Sequence, residues 1–238
     1  IMQFYTKLGK IYSNKRSVGS QTSLILHDQD IRLGSNLYNA KQESFLINVL
    51  EQNQITNNNL LKYGFSYSAD RYIESLDGDI SNSFDLKRRV DLITGLFTEN
   101  QYKNDKIDFL TGIRVDYYNI EKKMYYSPRL HIKYNPNDRT AIRISAGQAF
   151  RISNFLNENI FYLASSRDLI IEDDIKPEQA DNYGLNITHC FYLFSKEGTI
   201  NMSIYNTVFN NQVVVNIENK DEVSFSNLKG NSYSTSFN

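Results

Sequence analysis

The chain has 238 residues and a formal net charge of −1, so it offers nucleic acid no electrostatic reason to bind. Its single cysteine, Cys190, excludes an internal disulfide and a cysteine-based metal site. Hydrophobic residues make up 40%, and no apolar run approaches the ~18 residues of a membrane helix, yet there are 17 Tyr and 14 Phe. A soluble β-sandwich fits that balance, and so does a membrane barrel, whose alternating strands dilute hydrophobicity and whose girdles need aromatics.

Alternation with a period of two marks the strands. The first is predicted over residues 2–12, with a turn at Asn14-Lys15-Arg16. The second covers 21–29, with Leu24 and Leu26 on one face and Gln21, Ser23, His27 and Gln29 on the other. A Gly-containing loop is expected over 30–40. The third strand, 42–52, is blurred by Phe45, Leu46, Ile47, Val49 and Leu50, and a turn follows at 53–59. In the fourth, Leu61, Tyr63, Phe65 and Tyr67 oppose Lys62, Gly64, Ser66, Ser68 and Asp70. A polar loop is expected over 73–84, holding Asp77-Gly78-Asp79. Strand five, 89–102, carries Asp91, Gly95 and Glu99 on its polar side, and Lys103-Asn104-Asp105 turns the chain. Strand six sets Ile107, Phe109, Ile113 and Val115 against Asp108, Gly112, Arg114 and Asp116. The connection 119–124 leads on.

Residues 127–154 form the clearest hairpin. Leu130, Ile132 and Tyr134 share a face opposite Arg129, His131 and Lys133; then Ile142, Ile144 and Ala146 oppose Arg143, Ser145 and Gly147. Between them Asn135-Pro136-Asn137-Asp138 is turn chemistry: Pro presets φ, and Asn and Asp bond their own backbone. A long loop, 153–176, holds an apolar patch (Phe155, Leu156, Ile160, Phe161, Leu163) and the acidic run Glu172-Asp173-Asp174. The next strand sets Tyr183, Leu185, Ile187, Phe191 and Leu193 against Asn182, Gly184, Asn186, Thr188 and Cys190. Ser195-Lys196-Glu197-Gly198 turns into a strand over 199–214, and a last strand is expected over 223–238.

About eleven strands result. Short turns gather at one end and mostly longer loops at the other, which is how outer-membrane barrels are built. Residues 183 to 193 rise ~33 Å along the strand at ~3.3 Å per residue, and a ~45° tilt turns this into the ~25 Å of an apolar band.

Several stretches resemble TonB-dependent outer-membrane receptors: Ser127-Pro128-Arg129-Leu130…Tyr134, Arg143…Gly147…Phe150-Arg151, Lys176-Pro177-Glu178…Asn182-Tyr183-Gly184-Leu185, and Tyr205…Phe209…Asn211-Gln212-Val213. The segments 27–42 and 227–238 are similar too. One departure is Ile152-Ser153, where the family often has Pro shortly after Phe-Arg. The resemblance implies an all-β fold: an antiparallel transmembrane β-barrel segment in an up-and-down meander, an incomplete barrel. Residues 1–238 would be part of one barrel domain, with a plug domain and further strands lying in a longer product, since the chain starts at Ile1 and no signal peptide opens it. It further implies an outer-membrane location, uptake of a scarce nutrient (siderophore-iron, haem, cobalamin or glycan), outer-membrane lipid around the wall, and the TonB energy-coupling complex as a partner acting through the plug. The alternatives are a passive porin and a soluble β-sheet binding module.

Candidate sites follow from the faces. His27 with Asp28, Asp30 and Arg32 is the candidate ligand-binding set, against a solvated rim; metal sites need converging ligands. Arg114, Asp116, Arg129, Arg143 and Arg151 are the candidate plug-docking set, against a merely hydrated lumen. The same polar side carries Lys62, Asp70, Asp91, Glu99 and Lys133, as expected where a charge on the lipid face costs ~2–4 kcal/mol at the midplane. His131 is expected to face the lumen and His189 an interfacial aromatic girdle. The acidic runs at 77–79 and 172–174 match no calcium loop. No G-x-S-x-G, phosphate loop or H-E-x-x-H is present, so neither a catalytic residue, a metal nor a cofactor is expected.

Overall fold

The computed structural model describes the whole chain except residues 78–83, 166 and 173 and the side chains of 84–87. The pattern of alternating faces becomes one antiparallel sheet of eleven strands, neighbour to neighbour in chain order. Its strands are β1 (Met2–Ser13), β2 (Arg16–Leu33), β3 (Asn36–Thr56), β4 (Asn59–Asp77), β5 (Phe84–Lys103), β6 (Ile107–Tyr118), β7 (Lys123–Asn137), β8 (Thr140–Arg151), β10 (Glu178–Leu193), β11 (Lys196–Asn210) and β14 (Asn231–Phe237). A second sheet, ordered β12-β13-β9, is built from β9 (Asp168–Ile171), β12 (Val213–Asn216) and β13 (Glu222–Asn227). Among the described residues the large sheet is open: β1 pairs with β2 alone, and β14 with β11 alone.

Burial is inverted relative to a water-soluble protein. Leu96, on the face expected to be apolar, is 63% exposed, while Asp116, Asp91 and Glu99, on the opposite face, are 1%, 2% and 6% exposed. Curvature explains this. Side chains on the concave side converge and cover one another, whereas those on the convex side splay apart. Among the described residues no helix is long and apolar enough to cross a membrane, which says nothing against strands doing so. With its apolar face outward and its polar face inward, the sheet has the pattern of a membrane barrel wall.

Strand lengths divide the wall. β6 and β8 have 12 residues each, ~40 Å of strand, which at a ~45° tilt spans ~28 Å, about one apolar band. The 18, 21, 19 and 20 residues of β2 to β5 are too many for that band. These four strands project beyond it at the long-loop end. Two expectations change here. The loop expected over 30–40 is strand apart from a two-residue turn at Gly34-Ser35, where Gly34 takes φ +65° without a Cβ penalty. The loop expected over 73–84 is likewise strand up to Asp77 and again from Phe84. Polar residues read as loop because a strand outside the lipid no longer needs an apolar outer face. Gly78 and Asp79 of the acidic run at 77–79 lie outside the described residues.

The last strands also differ from expectation. The stretch 199–214 divides into β11 and β12, and 223–238 into β13 and β14. The long loop 153–176 is structured, holding a four-residue helix α1 (Phe155–Glu158), a 3-10 helix (Ile160–Ala164) and β9. β9 runs parallel to β13, and β13 antiparallel to β12, so two separate long connections fuse into one cap.

The cap holds the chain's apolar core. Leu156, Leu163, Leu169, Val223 and Phe225 pack with Tyr38 and Leu76 from the projecting parts of β3 and β4. Phe155 lies against Phe225 with ring centroids 5.4 Å apart. Asn36 Nδ2 donates to the carbonyl of Leu163 at 2.9 Å, tying the tip of β3 to the 3-10 helix. Tyr38 is fully buried and donates to Glu74 at 2.5 Å; burial, and then the adjacent Glu74 carboxylate, push its phenol well above the ordinary value. The cap thus reaches from the β8–β14 end of the sheet to the β3–β4 tips by hydrophobic burial.

Leu163→Ala should cost the cap about 2–5 kcal/mol of docking, because a fully buried leucine leaves both transfer energy and a cavity behind. Limited proteolysis should then cut within 153–176 much faster, with the heat-modifiable gel migration of the barrel unchanged.

Candidate functional site: the concave wall

Register places the concave charges in rows. Lys62, Glu99, Gly112, Arg129 and Gly147 stand opposite one another across β4, β5, β6, β7 and β8. The two glycines leave room for the long side chains beside them. Lys62 Nζ lies 3.1 Å from Glu99 Oε1, and Arg129 Nη2 donates to Glu99 Oε2, so one carboxylate holds two cations.

The next two rows toward the long-loop end, Gly64-Phe97-Arg114-Ser127 and Ser66-Gly95-Asp116-Tyr125, meet over Gly95. Arg114 forks onto Asp116 through Nε at 2.7 Å and Nη2 at 2.6 Å, and Nη2 also reaches Ser66 Oγ at 2.5 Å. A Cβ on Gly95 would collide with Asp116 Oδ1 and come within 2.5 Å of Arg114 Nη2 and 2.8 Å of Ser66 Oγ. Glycine is required there by close approach, so that three side chains can meet over bare backbone. The Phe97 ring lies over Gly64 in the same way, with Arg114 Cζ 5.9 Å from its centroid. Farther up, Tyr118 donates to Asp91 at 2.8 Å, and Arg89 Nε stands 2.9 Å from the other Asp91 oxygen, an ion pair by distance rather than a well-aligned hydrogen bond.

The sector formed by β8, β10 and β11 is different. Arg143 Nη1 donates to Asn186 Oδ1 at 2.7 Å and Thr188 Oγ1 at 3.1 Å, both neutral. Asn186 in turn donates to Asn201 and Ser203. His131, Lys133 and Arg143 line a hollow of about 920 Å³ with these amides and hydroxyls. The wall is therefore internally charge-paired on one side and hydroxyl- and amide-rich on the other.

Three motif stretches meet at the rim. Arg151 Nε and Nη2 donate to Glu178 Oε2 at 2.8 and 2.6 Å, while Glu178 Oε1 accepts the backbone N–H of Val213 at 2.8 Å. Arg151 also forks onto Glu158 at 3.1 and 3.3 Å. Asn227 adds a second pin, donating to the carbonyls of Lys176 and Asn211. These bonds fasten the cap to the wall.

Of the candidate docking set, Arg114, Asp116 and Arg129 join the paired network, Arg143 stands in the neutral sector, and Arg151 belongs to the rim clamp. The candidate ligand set is not brought together. His27 lies on the concave side of β2, while Asp28, Asp30 and Arg32 alternate onto the convex side with Leu24 and Leu26. Asp28 there meets Lys41 at 3.9 Å, both well exposed. His131 is concave, and His189 sits opposite Thr140, whose hydroxyl is 3.0 Å from its Nδ1. Among the described residues no His, Cys, Asp and Glu side chains group as metal ligands; Asp173 of the acidic run 172–174 lies outside them. Glu99 was already among the lumen-facing charges read from sequence; Glu178 and Gly95 were not read as site residues, although the Lys-Pro-Glu motif and the polar alternation of β5 contained them.

The family described as "TonB dependent receptor-like, beta-barrel" matches residues 3–236. The chain belongs to that family. Its members are outer-membrane barrels, and this TonB-dependent receptor wall accordingly stands in the outer membrane, short turns toward the periplasm. Solved structures share the fold. The copper transporter OprC superimposes with a TM-score of 0.66 at 12% identity, over 99% of this chain and 42% of that one. The FrpB iron transporter from Neisseria meningitidis (F3-3 variant) gives 0.61 at 14%, over 94% and 38%. The siderophore receptor PirA from Acinetobacter baumannii gives 0.62 at 13%, over 94% and 42%. The chain spans about two-fifths of the length of these structures. Comparison with curated proteins gives no match.

Gly95→Ala should force Arg114 and Asp116 apart and destabilise the wall by about 1–3 kcal/mol, the usual range for overpacking. The check is the temperature at which the full-length protein loses its folded gel mobility, which should fall. Glu99→Gln should lower it too, because Lys62 and Arg129 lose their shared counter-charge, while Lys62→Met should matter less.

Proposed function

We propose that this wall belongs to an importer that takes up a scarce nutrient in a TonB-dependent manner, the cargo being a metal ion or metal chelate such as siderophore-iron. The family match carries this reading, and the iron, copper and siderophore proteins of the same fold support the cargo class. In this reading further strands close the barrel, and a plug domain fills the lumen and is pulled by the TonB complex. The concave charges suit such a filler: the paired side presents a rigid, neutralised surface, and the hydroxyl- and amide-rich side offers exchangeable hydrogen bonds. The cap on the long-loop rim stands where cargo would arrive. The role is transport, with no catalytic residue and no resident cofactor.

The full-length protein in planar bilayers should be closed at rest, and cells carrying it should accumulate ferric siderophore only when TonB is present. A large steady conductance without any stimulus would make it a passive porin instead. Accumulation that persists without TonB would also overturn the proposal.

A further inference from the structure

The lipid-facing side carries charges that the lumen reading does not use. Arg16, Val18 and Ser20 alternate outward on β2 as Glu51 and Val49 do on β3. Val18 stands opposite both Lys10 on β1 and Glu51 on β3, and Glu51 stands opposite Tyr63 on β4. Arg16 Nε donates to Glu51 Oε1 at 2.7 Å. Two cations stand near the Tyr12 ring, Lys10 Nζ at 5.0 Å and Arg16 Cζ at 5.6 Å from its centroid. Two cations, two tyrosines and one carboxylate thus gather on the outside of the barrel, beside the Asn14-Lys15 turn.

Charges are costly on a lipid face at the midplane and nearly free at its edges. This cluster therefore belongs at the periplasmic interface, the level of phospholipid headgroups. Directly adjoining it is a groove of about 540 Å³ lined by Val18, Val49, Phe65 and Leu96, with Glu51 and Tyr63 at its polar end. The lining is apolar and opens onto the side that faces acyl chains.

We propose that this is a binding site for one glycerophospholipid of the inner leaflet. Lys10 and Arg16 take the phosphate, and the groove takes an acyl chain. Arg16 spends its Nε donor on Glu51, which holds the guanidinium in place and leaves its terminal nitrogens for phosphate oxygens. Tyr12 and Tyr63 sit where amphipathic rings prefer to be. Glu51, held by Arg16 and by the Tyr63 hydroxyl, still has acceptor lone pairs for a headgroup ammonium, so a zwitterionic headgroup finds both of its charges matched. Lipopolysaccharide carries phosphate too, but its phosphates lie at the opposite interface.

The test uses the full-length protein in nanodiscs of phosphatidylethanolamine and phosphatidylglycerol, transferred to mild detergent and followed by native mass spectrometry. Wild type should retain one phospholipid through washing. Lys10→Gln with Arg16→Gln should lose it about tenfold more readily, the loss of phosphate contacts worth one decade in affinity. Val49→Phe, which fills the groove and leaves every charge in place, should do the same. Heat-modifiable migration identifies variants that fold, and Val49→Phe stands as an independent probe should the double variant fail to. Equal retention by wild type and a folded variant would overturn the proposal, as would retention of lipopolysaccharide alone. Neither result bears on import.

Discussion

Curvature is the constraint on which the rest of this wall depends. A sheet bent around a lumen crowds one face and opens the other. The crowded face must be polar, because the open face is immersed in hydrocarbon and takes the apolar half of every alternation. Polar groups so crowded cannot remain independently solvated. They are satisfied by each other, across strands, at positions fixed by register. Lys62, Glu99 and Arg129 come from strands far apart in sequence yet meet in one row because the rungs of the ladder align them.

Glycine is the second half of that solution. A side chain as long as arginine needs space over the neighbouring strand, and Gly95 and Gly112 provide it within otherwise regular strands, as Gly64 does for the Phe97 ring. The cost in backbone entropy is repaid by charge-assisted bonds that would not otherwise form. The network joins four strands, β4 to β7, so it resists shear of any one against the next. Toward β8, β10 and β11 the same geometry carries amides and hydroxyls instead, and the wall changes from a closed set of partners to an open one.

The apolar core lies outside the membrane band. In the band no water is excluded by burying leucine against leucine, since lipid is as apolar as the side chain. Only beyond it, where β3 and β4 project into water, can hydrophobic burial hold pieces together. There the cap forms, with Leu156, Leu163, Leu169, Val223 and Phe225 closing over Tyr38 and Leu76. Arg151, Glu178 and Asn227 fasten its base with directional bonds, which suit a rim where water competes and exact placement matters.

The period of two was readable in the chain, and with it the all-β class, the eleven strands of the large sheet and the inward side of the cleanly alternating ones, β2, β4 to β8 and β10. Turn chemistry at Asn14-Lys15 placed one short connection; the turn expected at Asn135–Asp138 closes instead at Asp138-Arg139, with Pro136 and Asn137 still in β7 and the Asn137 side chain accepting the Arg139 N–H. The ends of β2 to β5 were not readable, because polar outer residues on a strand above the lipid look the same as loop. The cap was not readable either: β9 pairs with β13 across more than fifty residues, and nothing local marks a strand that exists only by such long-range pairing. Which charges share a partner was decided by register between strands, and so was the convergence of three motifs on Glu178; His27 parts from Asp28, Asp30 and Arg32 because β2 runs on through a stretch expected as loop, and alternation puts them on opposite faces. Sequence determines what each face of a strand is made of. Tertiary structure decides which faces meet, because that depends on alignment between segments that the chain joins only through space.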